Sequence, residues 1–139
     1  MPSVPLNGWA ILVAALASIV VGGLWYGPLF GKTWMSLMGM NPEECKGKMV
    51  WSLYLTQFIA CLVMSFVLAH SLIFASTFLK VSGWTAGLMV GFWSWLGFVA
   101  PVTLGTVLWE GKSWKLWVLN NAHYLVSLLI MGVILSLWR

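Results

Sequence analysis

Apolar residues run through this chain in four long blocks, at about Gly8–Leu29, Met49–Phe74, Gly83–Trp109 and Trp114–Trp138, and polar residues collect between them. A helix needs roughly 20 mostly apolar residues to cross a hydrocarbon core of roughly 30 Å, and each block reaches that length. The connecting stretches are "GKTWMSLMGMNPEECKGK", "ASTFLKVS" and "EGKS". Within the first of them, "NPEE" predicts a turn followed by a helix start, with Asn41 as cap, Pro42 at the first helical position and acids next. The pattern predicts an all-α integral membrane protein, a four-helix transmembrane bundle forming one domain over residues 1–139. The first block lacks a basic n-region and is too long for a signal-peptide core, so it is expected to stay as a span.

Composition points the same way. The chain is 61% hydrophobic and 7% charged, with mean hydropathy +0.95, whereas a soluble domain carries about 25% charged residues. So little charge cannot coat a water-facing surface, and membrane lipid is the expected surroundings. The net charge of +4 is spread over membrane-edge loops without a basic stripe for a phosphate backbone to follow, which argues against nucleic acid as partner. Lys32, Lys46, Lys48, Lys112 and Lys115 lie in the first and third linkers, against Lys80 and Arg139 on the other side. Short loops rich in Lys and Arg stay inside. The expected orientation therefore has both termini outside and the two Gly-Lys corners in the cytoplasm, in the cell inner (plasma) membrane. Trp9, Trp84 and Trp138 mark one edge; Trp25, Trp34, Trp51, Trp109, Trp114 and Trp117 cluster toward the other, as interfacial belts do.

"FGKTW" at 30–34 returns nearly unchanged as "EGKSW" at 110–114. A phosphate-binding loop needs G-x-x-x-x-G-K-[ST] between a strand and a helix; here Tyr26 and Thr106 stand where the first glycine belongs, so a nucleotide loop is excluded. Leu24-Trp25 and Leu108-Trp109 precede the two corners. The chain thus reads either as two helix-corner-helix halves, a symmetry found in transporters, or as two helix ends that each use Gly to break, Lys to reach headgroups and Trp to sit at the interface.

Spans associate in lipid through close backbone approach. Gly83, Gly87 and Gly91 are spaced four apart, continued along the face by Ser94, Pro101 and Gly105; Ala10, Ala14, Ser18 and Gly22 form a second small-residue stripe. These two grooves are expected to face each other or a second copy of the chain, making a homo-oligomer. Pro101 removes the hydrogen bond to the carbonyl of Gly97 and should kink the third span.

Polar groups within spans are costly and therefore informative. Asn120, His123, Tyr124 and Ser127 share one helix face, with Asn121 a quarter-turn away; Tyr54 and Gln57 begin a stripe continued by Cys61 and Ser65; Thr103 and Thr106 approach Glu110. At ~1.5 Å rise per residue the large polar groups fall within roughly 15 Å of the edge bearing the Gly-Lys corners. Two readings compete. Tyr26, Tyr54, Gln57, Glu110, Asn120, Asn121, His123 and Tyr124 can bind or pass a small polar ligand or ion, or the polar groups can simply join helices in a structural or accessory membrane subunit. His70 stands about 20 Å in depth from His123, so the two cannot share a metal; Cys45 in a polar loop and Cys61 deep in an apolar run are not expected to form a disulfide, and no metal-type pair spacing occurs. Enzyme motifs are missing, no cofactor is implied, and Glu43, Glu44 and Glu110 all fall in linkers. The first block has no ionisable residue before Tyr26, so it lacks the embedded glutamate of small multidrug transporters.

The pattern "GGLWYGPLFGKTWMSLMG", with "WLGF" in the third block and "LWEGKSWKLWVLNNAHYLVSLLIMGVILSLW" at the end, resembles a bacterial membrane family, domain of unknown function 1761. The resemblance covers nearly the whole chain, with Asn7, Trp25-Tyr26, Trp34, Glu110-Gly111 and Asn121 at matching positions. It implies four spans without assigning an activity.

Overall fold

The computed structural model describes residues 4–41, 43 and 51–138. Pro42, Glu44, Cys45, Lys46, Lys48, Met49 and Arg139 lie outside the described residues. Asn41 Oδ1 accepts the Glu43 N–H at 3.3 Å. The described chain is all helix and connection, with four helices long and apolar enough to cross a membrane, Gly8–Leu29, Trp51–Leu79, Gly83–Leu108 and Trp114–Leu137.

Local chemistry sets the helix ends. Asn7 caps the first long helix by accepting from the N–H groups of Trp9 at 3.0 Å and Ala10 at 3.3 Å, satisfying donors that the helix itself cannot. Asn7 Nδ2 also donates to the Trp138 carbonyl at 3.4 Å, so both ends of the described chain meet at one edge of the bundle. Ser113 caps the fourth long helix through the Leu116 N–H, 3.2 Å away. The second long helix runs past Phe74 to Leu79 and ends on Lys80, whose φ of 54° is unusual for a residue with a side chain.

The stretch after the first corner, read from sequence as linker, contains a further short helix, Gly31–Met38. It closes on Gly39 at φ 69°, with Gly39 N–H on the Ser36 carbonyl at 3.2 Å and Met40 N–H on the Met35 carbonyl at 3.0 Å. This paired closure needs a left-handed residue, which glycine supplies without steric cost. The two similar corners differ in shape. Gly31 is helical and buried, and a methyl there would stand 2.6 Å from the Tyr26 carbonyl oxygen. Gly111 turns at φ 70° with open space around it, and Lys112 N–H reaches back to the Thr106 carbonyl at 3.0 Å.

Both prolines within the long helices are accommodated by widened turns. A π turn at Trp25–Leu29 contains Pro28, with the Phe30 N–H on the Trp25 carbonyl at 2.8 Å. A second, Trp95–Val99, precedes Pro101, and the Ala100 N–H bonds the Trp95 carbonyl. Proline cannot donate, and a π turn redistributes the bonds around the missing one. The expected break at Pro101 thus begins a turn earlier, and the helix resumes as Ala100–Thr103 and Gly105–Leu108.

The glycine stripe of the third long helix packs on the fourth rather than on the first. A methyl on Gly87 would overlap the Gly132 carbonyl and stand 2.7 Å from Ser136 Oγ; one on Gly91 would stand 2.6 Å from the Leu128 carbonyl oxygen. Gly83 takes no part, since it starts the helix at φ 71° with nothing within 4 Å of an added methyl. The small face of the first helix is shared: Ser65 Oγ of the second helix donates to the Ile11 carbonyl at 2.8 Å, while a methyl on Gly22 would stand 3.3 Å from His123 Nε2 of the fourth. Ala14 and Ser18 are buried in this seam, beside a core that includes Leu68, Leu72, Val90 and Met131. The expected dimer face at Gly87 and Gly91 is therefore occupied within one chain, by the backbone of Leu128 and Gly132.

Replacing Gly87 or Gly132 by alanine is expected to destabilise the isolated chain by about 1–3 kcal/mol through overpacking. Gly23→Ala, where nothing lies within 4 Å of the new methyl, should leave the unfolding midpoint in a denaturing-detergent titration unchanged. Equal effects at all three positions would contradict the packing.

Candidate functional site

Phe30, Lys32 and Thr33 of the first corner line the same groove as Trp114 and Lys115 of the second, so both corners lie at the bundle end opposite the Asn7–Trp138 contact. Just inside that end the π turn presents Trp25 and Tyr26 toward the fourth helix. Tyr26 OH donates to Asn120 Oδ1 at 2.8 Å. Its ring meets His123 with centroids 5.0 Å apart and Trp34 at 5.6 Å, both edge-on. Trp25 and Tyr124 flank the same imidazole at 6.1 and 5.4 Å. His123 Nε2 lies 3.3 Å from Ser127 Oγ, one turn along its own helix. Its Nδ1 is buried without a hydrogen-bond partner among the described residues, as are the indole N–H groups of Trp25 and Trp117.

Asn121 belongs to a separate pair. It is 2% exposed, and its Nδ2 donates to Thr103 Oγ1 at 2.9 Å and to the Trp117 carbonyl at 3.1 Å. Thr103 Oγ1 in turn donates to the carbonyls of Val99 at 2.8 Å and Ala100 at 3.2 Å in its own helix. A third pair joins the first two helices, Cys61 Sγ to Ser18 Oγ at 3.8 Å, and Gln57 Nε2 feeds the same sulfur at 3.5 Å.

Three expected members stand elsewhere. Tyr54 and Gln57 are exposed on the outer side of the second helix, and Glu110 is exposed at the second corner. No hydrogen bond among the described residues links any of them to Asn120 or His123. Helical periodicity had put Tyr54, Gln57 and Cys61 on one stripe, but only the deeper part of that stripe turns inward. His70 bonds the Phe66 carbonyl of its own helix at 2.9 Å and stacks edge-on with the Phe66 ring. Among the described residues no three His, Cys, Asp or Glu side chains gather as they would around a metal ion.

Two groups escaped the sequence reading. Gly132 and Ser136, four apart near the end of the fourth block, form the small surface that receives Gly87; their spacing was a signal. Trp25 and Trp117, assigned to the headgroup belt, bury their indole nitrogens instead. Trp51, Trp109 and Trp114 do stay exposed at 78, 88 and 57%. Hydropathy alone could not separate the two sets, since both flank the same edge.

Membrane-length apolar helices tied together by internal polar pairs define a small multi-pass membrane protein. The family described as protein of unknown function (DUF1761) has a model that matches residues 9–136, and the chain belongs to that family. No curated protein and no solved structure matches it.

Asn121→Ala should lower stability by about 1–2 kcal/mol, since it removes from a buried position the side chain that bonds Thr103 of the third helix and the Trp117 carbonyl. Asn120→Ala should cost less, because half-buried Asn120 accepts a single bond from Tyr26. Detergent unfolding of the two variants checks the ranking, and the reverse order would contradict it.

Proposed function

We propose that this chain is a structural, accessory membrane protein, acting without catalysis, whose internal polar residues hold its helices in register. One observation carries the reading: the polar side chains pair across different helices. Tyr26 with Asn120 joins the first and fourth, Thr103 with Asn121 the third and fourth, Cys61 with Ser18 the second and first. Interhelical bonds of this kind fix register at modest gain, well under about 2 kcal/mol each. The protein forms one domain in the inner (plasma) membrane, with the Gly-Lys corners in the cytoplasm and both termini outside, following the lysine distribution. Lipid is its immediate partner. A homo-oligomer would have to form through a face other than Gly87 and Gly91, which the fourth helix covers.

A second reading is favoured by one specific feature, the buried and unpartnered Nδ1 of His123. A small polar ligand or ion held there, between Trp25, Tyr26 and Tyr124, would satisfy that nitrogen.

The two readings separate by thiol accessibility. In a Cys45→Ser, Cys61→Ser background, single cysteines at Asn120, His123, Tyr124 and Ser127 are exposed to a charged, membrane-impermeant thiol reagent from each side of the membrane. The accessory role predicts no labelling at any of the four. Labelling there, with Leu125 and Val126 silent, would establish a water-filled path and overturn it in favour of ligand passage.

A further inference from the structure

Between the short helix Gly31–Met38 and the first turns of the fourth long helix runs a groove of about 850 Å³. Lys32, Thr33 and Ser36 border it on one side and Lys115 on the other; its apolar lining includes Leu37, Val118 and Leu119. We propose that this groove binds an anionic glycerophospholipid, its phosphate between the two lysines and an acyl chain along Val118 and Leu119.

Charge argues for an anion. Neither lysine forms an ion pair among the described residues, and no acidic side chain borders the groove among them. Two like charges brought from separate corners to one groove repel each other, and a phosphate between them turns that repulsion into attraction. The hydroxyls of Thr33 and Ser36 add donors on the same side.

Depth argues for a lipid. Lys115 is the second residue of the fourth long helix, and Val118 and Leu119 lie one turn farther along it, within a helix long and apolar enough to cross a membrane. A headgroup held at the lysines therefore places its chain against an apolar wall, which would offer a free phosphate nothing. The short helix suits this position: Lys32, Thr33 and Ser36 are exposed, while Trp34, Leu37 and Met38 turn inward, the arrangement of a helix lying in the interface. Its placement is fixed by Trp34 on the Tyr26 ring and by Tyr26 on Asn120.

Native mass spectrometry of the purified full chain in detergent tests the proposal, with phosphatidylglycerol, phosphatidylcholine or inorganic phosphate titrated in. Phosphatidylglycerol is expected to stay bound, and Lys32→Gln with Lys115→Gln to weaken its retention about tenfold or more. Lys80→Gln with Lys112→Gln is the matched charge control and should leave retention unchanged. Both pairs are exposed, and circular dichroism confirms that the variants fold. Equal retention of phosphatidylcholine would mean non-selective apolar contact, and displacement of the lipid by inorganic phosphate a soluble-anion site. Equal loss in the control pair would mean diffuse surface charge. Each of these overturns the proposal.

Discussion

Where Gly87 meets Gly132, two helices touch backbone to backbone with no side chain between them. In water such contact would matter less, because burying apolar side chains drives association there. In lipid the tails are as apolar as leucine, so helices gain mainly by fitting closer to each other than to lipid. Glycine permits that fit, and the antiparallel arrangement repeats it: one turn from Gly87, Gly91 sits on the Leu128 carbonyl, one turn from Gly132. This seam joins the third and fourth helices, and the fourth then offers its other faces to the first helix and to the polar cluster.

The polar pairs depend on that placement. Asn121 can reach Thr103 because the seam brings the third helix against the fourth, and Thr103 stands where the π turn before Pro101 has disturbed the regular bonding. Tyr26 can reach Asn120 because the other π turn, around Pro28, turns the end of the first helix inward. Two prolines that would weaken a soluble helix here accompany the irregular turns from which side chains cross to a neighbour. Such irregularity is tolerated at membrane depth when the surrounding protein re-satisfies the backbone.

Much of this architecture was legible in the sequence, for identifiable reasons. Four helices of membrane length follow from hydropathy because lipid admits few alternatives for an apolar chain. The small-residue stripes were visible too, since a four-residue spacing marks a helix face. Their partners were not. Gly87 and Gly91 announce that something comes close, yet nothing in their own spacing says whether it is the first helix, a second copy or Gly132. The polar cluster was half legible: Asn120, His123 and Tyr124 do share a face with Tyr26 opposite, but the stripe of the second helix twists outward before Tyr54 and Gln57. The short helix after the first corner was missed because its eight residues mix Lys, Thr and Ser with apolar positions and resemble a linker.

Solid-state NMR in bilayers addresses the seam directly. Protein carrying ¹³C in its glycines is diluted with unlabelled chain, and magnetisation transfer is measured between the Gly87 and Gly132 backbones. The structure predicts a Gly87–Gly132 cross-peak that survives dilution, because both glycines belong to one molecule. A cross-peak that disappears as labelled chains are diluted would place the contact between copies, and its absence in the undiluted sample would remove the seam altogether.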